Sequence, residues 1–216
     1  MDSPGWVVRV VPNLYPALAR QDVVVHSPRH ARSFAELEDG EVELVADAWN
    51  ARRRAANQDG FGYVHAMVNE GRFAGASLAH SHSQLVWLDG PPPAVLSERG
   101  DPRDLLDERL EVTRSGSLVL ACHPAGRVPY ELVVAHAEGE PELELAGALR
   151  LLREGVRRLR ALEGPIAWNA WLHAGERWHL EVVPRMTVLA GLELGAEIYV
   201  NTLPPEEAAR RLRQAG

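Results

Sequence analysis

His80, His82 and Gln84 stand at alternate positions within residues 75–87, GASLAHSHSQLVW. In an extended chain, positions i, i+2 and i+4 share a face, so these three side chains point the same way if the stretch is a strand. Two chemistries suit such a row. Neutral imidazole is a common metal ligand. It is also a nucleophile toward phosphorus near neutral pH, provided one ring nitrogen carries the lone pair and the other donates to a fixed acceptor. A lone histidine reads most simply as the polar face of a half-exposed strand. Three aligned hydrogen-bonding groups behind a small-residue turn argue for a site. Gly75, Ala76 and Ser77 form that turn and offer backbone N–H groups and a hydroxyl to phosphate oxygens, and Gln84 adds an amide N–H. No GK[ST] and no GxGxxG after a strand occurs, so the turn is neither a P-loop nor a dinucleotide fingerprint.

The elements that must hold this row are legible in the pattern. WVVRVVP and DVVVHSP read as strands stopped by Pro12 and Pro28. Ser33 opens SFAE, the form of a capping box in which Glu36 reaches back to Ser33. A helix is expected from about Glu41 to Ala56, with Val42, Val45, Trp49 and Arg52 on one stripe and Ala48 beside it. FGYVHAMVNEG and LAHSHSQLVWL read as strands around a tight loop. Pro91 to Asp107 reads as a connector. SLVLACHP and YELVVAH are two more strands, followed by a helix from about Pro141 to Leu162. Its stripe is Leu145, Leu149, Leu152, Val156 and Leu159, and Gly164 suits its C-cap. IAWNAWLHAG and WHLEVVP are strands, and LPPEEAARRLRQ has the proline-and-acid start and arginine finish of a last helix.

The same order therefore occurs twice: two strands, a long helix and two strands over residues 6–88, then again over 117–184. Laying HSHSQ on RWHLE pairs His82 with His179, His80 with Arg177 and Gln84 with Glu181. The pattern is an internal duplication of an α+β unit in which one copy keeps the full polar row.

Composition sets limits on function. The 216-residue chain is 46 % hydrophobic, enough for a filled core, and its net charge of −7 opposes general affinity for nucleic acid. Cys122 is the only cysteine, which excludes an internal disulfide and fits a cytoplasmic setting. No apolar run approaches the ~20 residues of a membrane span, and the first residues lack the regions of a signal peptide.

VRVVPNLYPAL, VVVHSPRHARSFAEL, VNEGRFAGASLAHSHSQ and AGLELGAEIYVNTLPPEEAARRLR, in that order, resemble stretches of the galactose-1-phosphate uridylyltransferase family of the histidine-triad superfamily. The resemblance implies an α+β fold: a duplicated histidine-triad-like unit, antiparallel sheets with a long helix packed on each, divided into residues 1–105, which carry HxHxQ, and 106–216. It implies an enzyme that moves UMP from UDP-glucose to galactose 1-phosphate through a uridylyl-histidine. The alternatives are an NDP-sugar phosphorylase or hydrolase of the same superfamily, or a nucleotide-binding module without activity.

By this resemblance His82 is the nucleophile, oriented by the main-chain carbonyl of His80, and Ser77 and Gln84 bind phosphoryl oxygens. Asn13 and Asn69 match nucleotide contacts. Glu193 matches an acid that binds hexose hydroxyls, and Asn201 lies near a polar position with a similar role. These last two act across a subunit boundary in the family, so a homodimer with shared sites is implied. His30 and His80 match two ligands of a zinc site whose other ligands are a Cys-x-x-Cys pair. That pair falls upstream of the first strand, and this sequence begins after it, so an incomplete zinc site is expected. Substrate-binding arginines of the same segment are also missing, which leaves Arg9, Arg72 or Arg185 as substitutes. Glu98, His173, His179 and Glu181 approximate a second metal site of some members, but read in sequence as ordinary polar strand residues.

Overall fold

β-Branched runs flanked by proline and glycine form strands here because their side chains pack on a pleated surface. The structure is a computed structural model describing residues 5–138, 142–175 and 178–216. Its strands are β1 (Arg9–Pro12), β2 (Gln21–Val25), β3 (Tyr63–Glu70), β4 (His82–Leu88), β5 (Glu111–Ser115), β6 (Leu118–Cys122), β7 (Leu132–His136), β8 (Trp168–His173) and β9 (His179–Pro184). They form one sheet in the order β1-β2-β4-β3-β8-β9-β7-β6-β5, and every neighbouring pair is antiparallel. The order β1-β2-β4-β3 is mirrored by β8-β9-β7-β6, with β3 and β8 paired at the centre. His82 opens β4 and His179 opens β9, as the internal alignment places them. Arg177, the third member of that alignment, lies outside the described residues.

The helices are α1 (Asp39–Gln58), α2 (Pro93–Ser97), α3 (Leu145–Glu163), α4 (Gly191–Ala196) and α5 (Pro205–Gln214). The fold is α+β: a large antiparallel sheet with α1 and α3 packed side by side on one face. Val42, Val45 and Trp49 of α1 and the whole expected stripe of α3 are buried in that layer. Helix α3 begins at Leu145, and the expected start at Pro141 falls outside the described residues. Glu38 and Glu41, not Asp39, shape the start of α1: the Glu41 carboxylate accepts the Glu38 N–H at 2.8 Å.

Two local expectations are corrected, and one strand went unanticipated. The SFAE segment is a single 3-10 turn, Phe34–Glu36, with Ser33 Oγ accepting the Ala35 N–H. Glu36 accepts the N–H of Arg32 rather than that of Ser33, because a 3-10 turn rises about 2.0 Å per residue and shifts the side chain along the chain. The connector 91–107 contains α2 and a second 3-10 turn, Pro102–Leu105. Strand β5 had no sequence signal, since its EVTRS is short, charged and at the sheet edge. Among the described residues, no helix is long and apolar enough to cross a membrane.

Ser83 fixes which way β4 faces. Its Oγ accepts the Trp49 Nε1–H at 2.8 Å, so Ser83, Leu85 and Trp87 turn toward α1. His82 and Gln84 therefore turn to the face opposite α1, together with their cross-strand neighbours Val25 and Val23.

Candidate active site

His82 is 4 % exposed and lines a cleft of about 960 Å³. Its Nδ1 lies 2.8 Å from the carbonyl oxygen of His80. A carbonyl only accepts, so Nδ1 carries the proton and Nε2 carries the lone pair. Nε2 makes no hydrogen bond among the described residues.

The main chain under His82 is anchored from both sides. Ser81 N donates to Ala31 O at 2.8 Å, and His26 N donates to Ser81 O at 3.2 Å. His26 Nδ1 also meets Ser81 Oγ at 2.9 Å. Burial, aided by the neighbouring His82 and His80, pushes the His26 pKa down to about 3, so this ring stays neutral. His80 places Nε2 2.7 Å from Arg29 O and Nδ1 3.2 Å from Ser81 O. Arg29 in turn is held by a two-pronged pair with Glu41, whose carboxyl is kept at about 2 by the Arg29 hydrogen bond first and then by Ser27.

The turn before the histidines is built on two glycines with positive φ. Gly71 (φ +83°) passes so close to Ala167 that a Cβ on it would lie 2.8 Å from the Ala167 Cβ. Gly75 (φ +85°) closes the 3-10 turn Arg72–Ala74. The Gly75 N–H donates to Arg72 O and the Ala76 N–H to Gly71 O. Both expected phosphate donors are thus used within the turn, while the Ser77 side chain lines the cleft beside Ala76, His80 and His82.

Two side-chain relays leave free amide groups on the sheet. Ala17 N–H must meet an acceptor, so Gln21 turns its Oε1 to it at 2.8 Å and its Nε2 toward Gln84 Oε1. That occupies the Gln84 carbonyl and leaves its NH2 free to donate. Asn169 Nδ2 likewise serves Ala74 O at 2.8 Å and Asn69 Oδ1 at 2.7 Å, leaving the Asn69 NH2 free. Both Asn69 and His82 stand two residues beyond the Met67–Gln84 pair, so the two free amides flank the imidazole on one face.

The remaining expected residues lie elsewhere. Asn13 caps the β1–β2 turn, its Oδ1 accepting the Tyr15 N–H at 3.0 Å, beside a smaller cleft of about 310 Å³. Glu193 accepts the Ala190 N–H at the start of α4. Asn201 donates to Gly126 O and Val128 O and accepts from Leu203 N, so both ends of its amide are engaged. Neither lines the His82 cleft. Of the proposed arginine substitutes, Arg72 lines the cleft, with Arg32 and Arg160. Arg9 stacks over Trp6, and Arg185 lines a separate pocket beside Trp171.

Sequence reasoning missed Gln21, Asn169 and Glu70. Glu70 is a cleft carboxylate that accepts Ser33 Oγ–H at 2.6 Å and Phe34 N–H at 2.7 Å, and burial raises its pKa. Its place directly after Asn69 at a strand end was the available signal.

Metal-binding capacity lies away from His30. The His30 and His80 rings meet edge to face at 6.0 Å, and both His80 nitrogens face carbonyl oxygens. Glu98, His173, His179 and Glu181 instead bring one ligand atom each to within 4.8 Å of one another, the one such group among the described residues. Pairing of His173 with His179 across β8 and β9 brings these residues together. The donor set suits a divalent ion, and His179 Nδ1 is buried without a partner. Burial opposes charge on Glu181, but His179, Arg127 and His173 together hold its carboxyl at about 2.

Residues 16–90 match the family profile described as galactose-1-phosphate uridyl transferase, N-terminal domain. The galactose-1-phosphate uridylyltransferase of Streptomyces lividans is 27 % identical over 264 residues, spanning 98 % of this chain and 75 % of that protein. The chain is similar to the galactose-1-phosphate uridylyltransferase family. It is also similar to the ADP-glucose phosphorylase of Arabidopsis thaliana, 25 % identical over 267 residues, 98 % of this chain and 75 % of that protein. The solved structure of an Arabidopsis ADP-glucose phosphorylase with bound ADP-glucose superposes with a TM-score of 0.87 at 23 % identity, covering 98 % of this chain and 83 % of the other. The fold of that structure is thus shared along nearly the whole chain.

Proposed function

We propose that this protein is a nucleotidyltransferase that works through a nucleotidyl-His82 intermediate, with UDP-glucose as donor and a hexose 1-phosphate such as galactose 1-phosphate as acceptor. The observation that carries this reading is the His82 Nδ1–His80 O hydrogen bond, which directs the lone pair to Nε2. Nε2 attacks the α-phosphorus, the bond to the bridging oxygen breaks, and glucose 1-phosphate leaves. An acceptor phosphate oxygen then attacks the same phosphorus and the P–N bond breaks. Nδ1–H stays on the His80 carbonyl throughout and stabilises the charge that grows on the ring. The free amides of Gln84 and Asn69 and the Ser77 hydroxyl donate to the phosphoryl oxygens, and the buried, uncharged His26 keeps a competing cation away from the nucleophile.

The similarity to an ADP-glucose phosphorylase over 98 % of the chain favours a second reading, in which ADP-glucose is the donor and inorganic phosphate the acceptor. His82 chemistry is the same in both. Glu98, His173, His179 and Glu181 would hold a divalent metal, zinc among the candidates, which would tie β8 and β9 together. The exposed apolar side chains Val188, Leu194 and Ile198, beside Glu193 and Asn201, support a homodimer in which this arm covers a second copy. Donors labelled at the α-phosphate, UDP-glucose and ADP-glucose, separate the readings: product formed with galactose 1-phosphate marks a transferase, product formed with phosphate marks a phosphorylase, and free monophosphate alone contradicts both.

A further inference from the structure

Helix α1 carries Asn50, Arg53, Arg54 and Asn57 at i, i+3, i+4 and i+7, one polar stripe on one face. The stripe forms a wall of a cavity of about 370 Å³ whose floor includes Phe61 and Tyr63. The lining contains no carboxylate. Among the described residues, the four stripe side chains make no hydrogen bond or ion pair. Arg53 is the informative member. It is half-buried, and burial lowers its pKa with only the Tyr63 phenol acting against this. Its neighbours fare otherwise: Arg52 pairs with Asp22 at 2.8 Å and Arg20 pairs with Asp59. The part-buried Arg53 guanidinium, without a protein partner among the described residues, presents N–H donors in a planar fork to the cavity.

We propose that this cavity binds the phosphate group of a small molecule, at a site separate from His82. Arg53 and Arg54 form the anion clamp, with the Asn50 and Asn57 amides as further donors. Phe61 and Tyr63 give an ester's organic part an aromatic surface, and the volume suits a small ligand. The site is remote from the nucleophile. Tyr63 pairs with Leu88 at the far end of β4, six residues from His82, which at ~3.3 Å per residue is about 20 Å. It therefore serves a second phosphate compound rather than the donor at His82, and β4 physically links the two.

The test is calorimetric titration of the full chain with glycerol 3-phosphate, inorganic phosphate and citrate. Wild type and His82→Asn are expected to bind a phosphate compound with the same Kd. Arg53→Gln is expected to weaken that Kd about tenfold or more. Arg54→Glu reverses an exposed charge without touching the core and is expected to do the same with an unchanged melting temperature. Tighter glycerol 3-phosphate identifies a phosphate ester as the ligand, and equal affinities identify free phosphate. The proposal is overturned by no phosphate binding to wild type, by binding lost in His82→Asn, by equal affinity in Arg54→Glu, or by citrate binding tighter than both phosphates.

Discussion

Gln21 and Gln84 face each other across β2 and β4 with their amides fixed head to tail, because the Ala17 N–H holds the far end of Gln21. The orientation of Gln84 thus comes from a residue on the neighbouring strand that pairs with Val86, two positions beyond the HxHxQ motif. Gln21→Ala leaves Gln84 free to present either end to a phosphoryl oxygen. The expected result is a fall in turnover of about tenfold, with little change in stability and with His82 still labelled by donor. Rapid-quench kinetics of adduct formation checks this; an unchanged rate contradicts the relay.

Gly71 needs both its positive φ and its missing Cβ. Gly71→Ala is expected to destabilise the fold by ~2 kcal/mol or more and to displace the turn that carries Ser77. Urea unfolding measures the first effect and donor affinity the second. Gly75→Ala shares the φ but meets open space, so the smaller loss is expected there.

Acid sensitivity should trace to His26. Its folded-state pKa, near 3, lies below the 6.5 of the unfolded chain. Above pH 6.5 neither state binds the proton; below it the unfolded state does and the folded state refuses. Stability is therefore full above pH 6.5 and falls toward pH 3, by at most about 1.4 kcal/mol per unit. Across pH 7 to 4.5, His26→Asn should flatten this decline while still meeting the Ser81 hydroxyl. Parallel wild-type and variant curves would remove His26 from the account.

Trp49 supports β4 from behind. Ser83→Ala leaves its buried Nε1–H without an acceptor, a cost of ~1–3 kcal/mol. Thermal unfolding should show this loss while the labelling yield at His82, on the opposite face, stays the same.

The Glu98–His173–His179–Glu181 group predicts a bound divalent ion in protein purified without chelator. Glu98→Ala should remove it and lower the melting temperature, while donor labelling of His82 persists. Metal content equal in wild type and variant would place any ion elsewhere.

Much of this architecture was readable in the chain. The valine-rich strands, the α3 stripe and the duplication follow from burial on one face of each element, a local and periodic constraint. HxHxQ was visible because a strand alternates. Its supports were not. Gln21 and Asn169 act through pairings 63 and 100 residues away in sequence, and no local pattern encodes such distances. The metal-type group needs Glu98 to come from a connector with no regular pattern. Strand β5 is an edge, where packing leaves little hydrophobic signature. The Gly75 and Ala76 N–H groups were expected to face phosphate, but closing a turn at Gly71 consumes them.

The central claim is that His82 Nε2 becomes covalently nucleotidylated. Incubation with UDP-glucose or ADP-glucose labelled in the α-phosphate, followed by base treatment and peptide mass spectrometry, tests it most directly. The account predicts a base-stable, acid-labile nucleotide on His82 that galactose 1-phosphate or inorganic phosphate discharges, and none in His82→Asn. Product formation without any adduct, or equal turnover in His82→Asn, would contradict it.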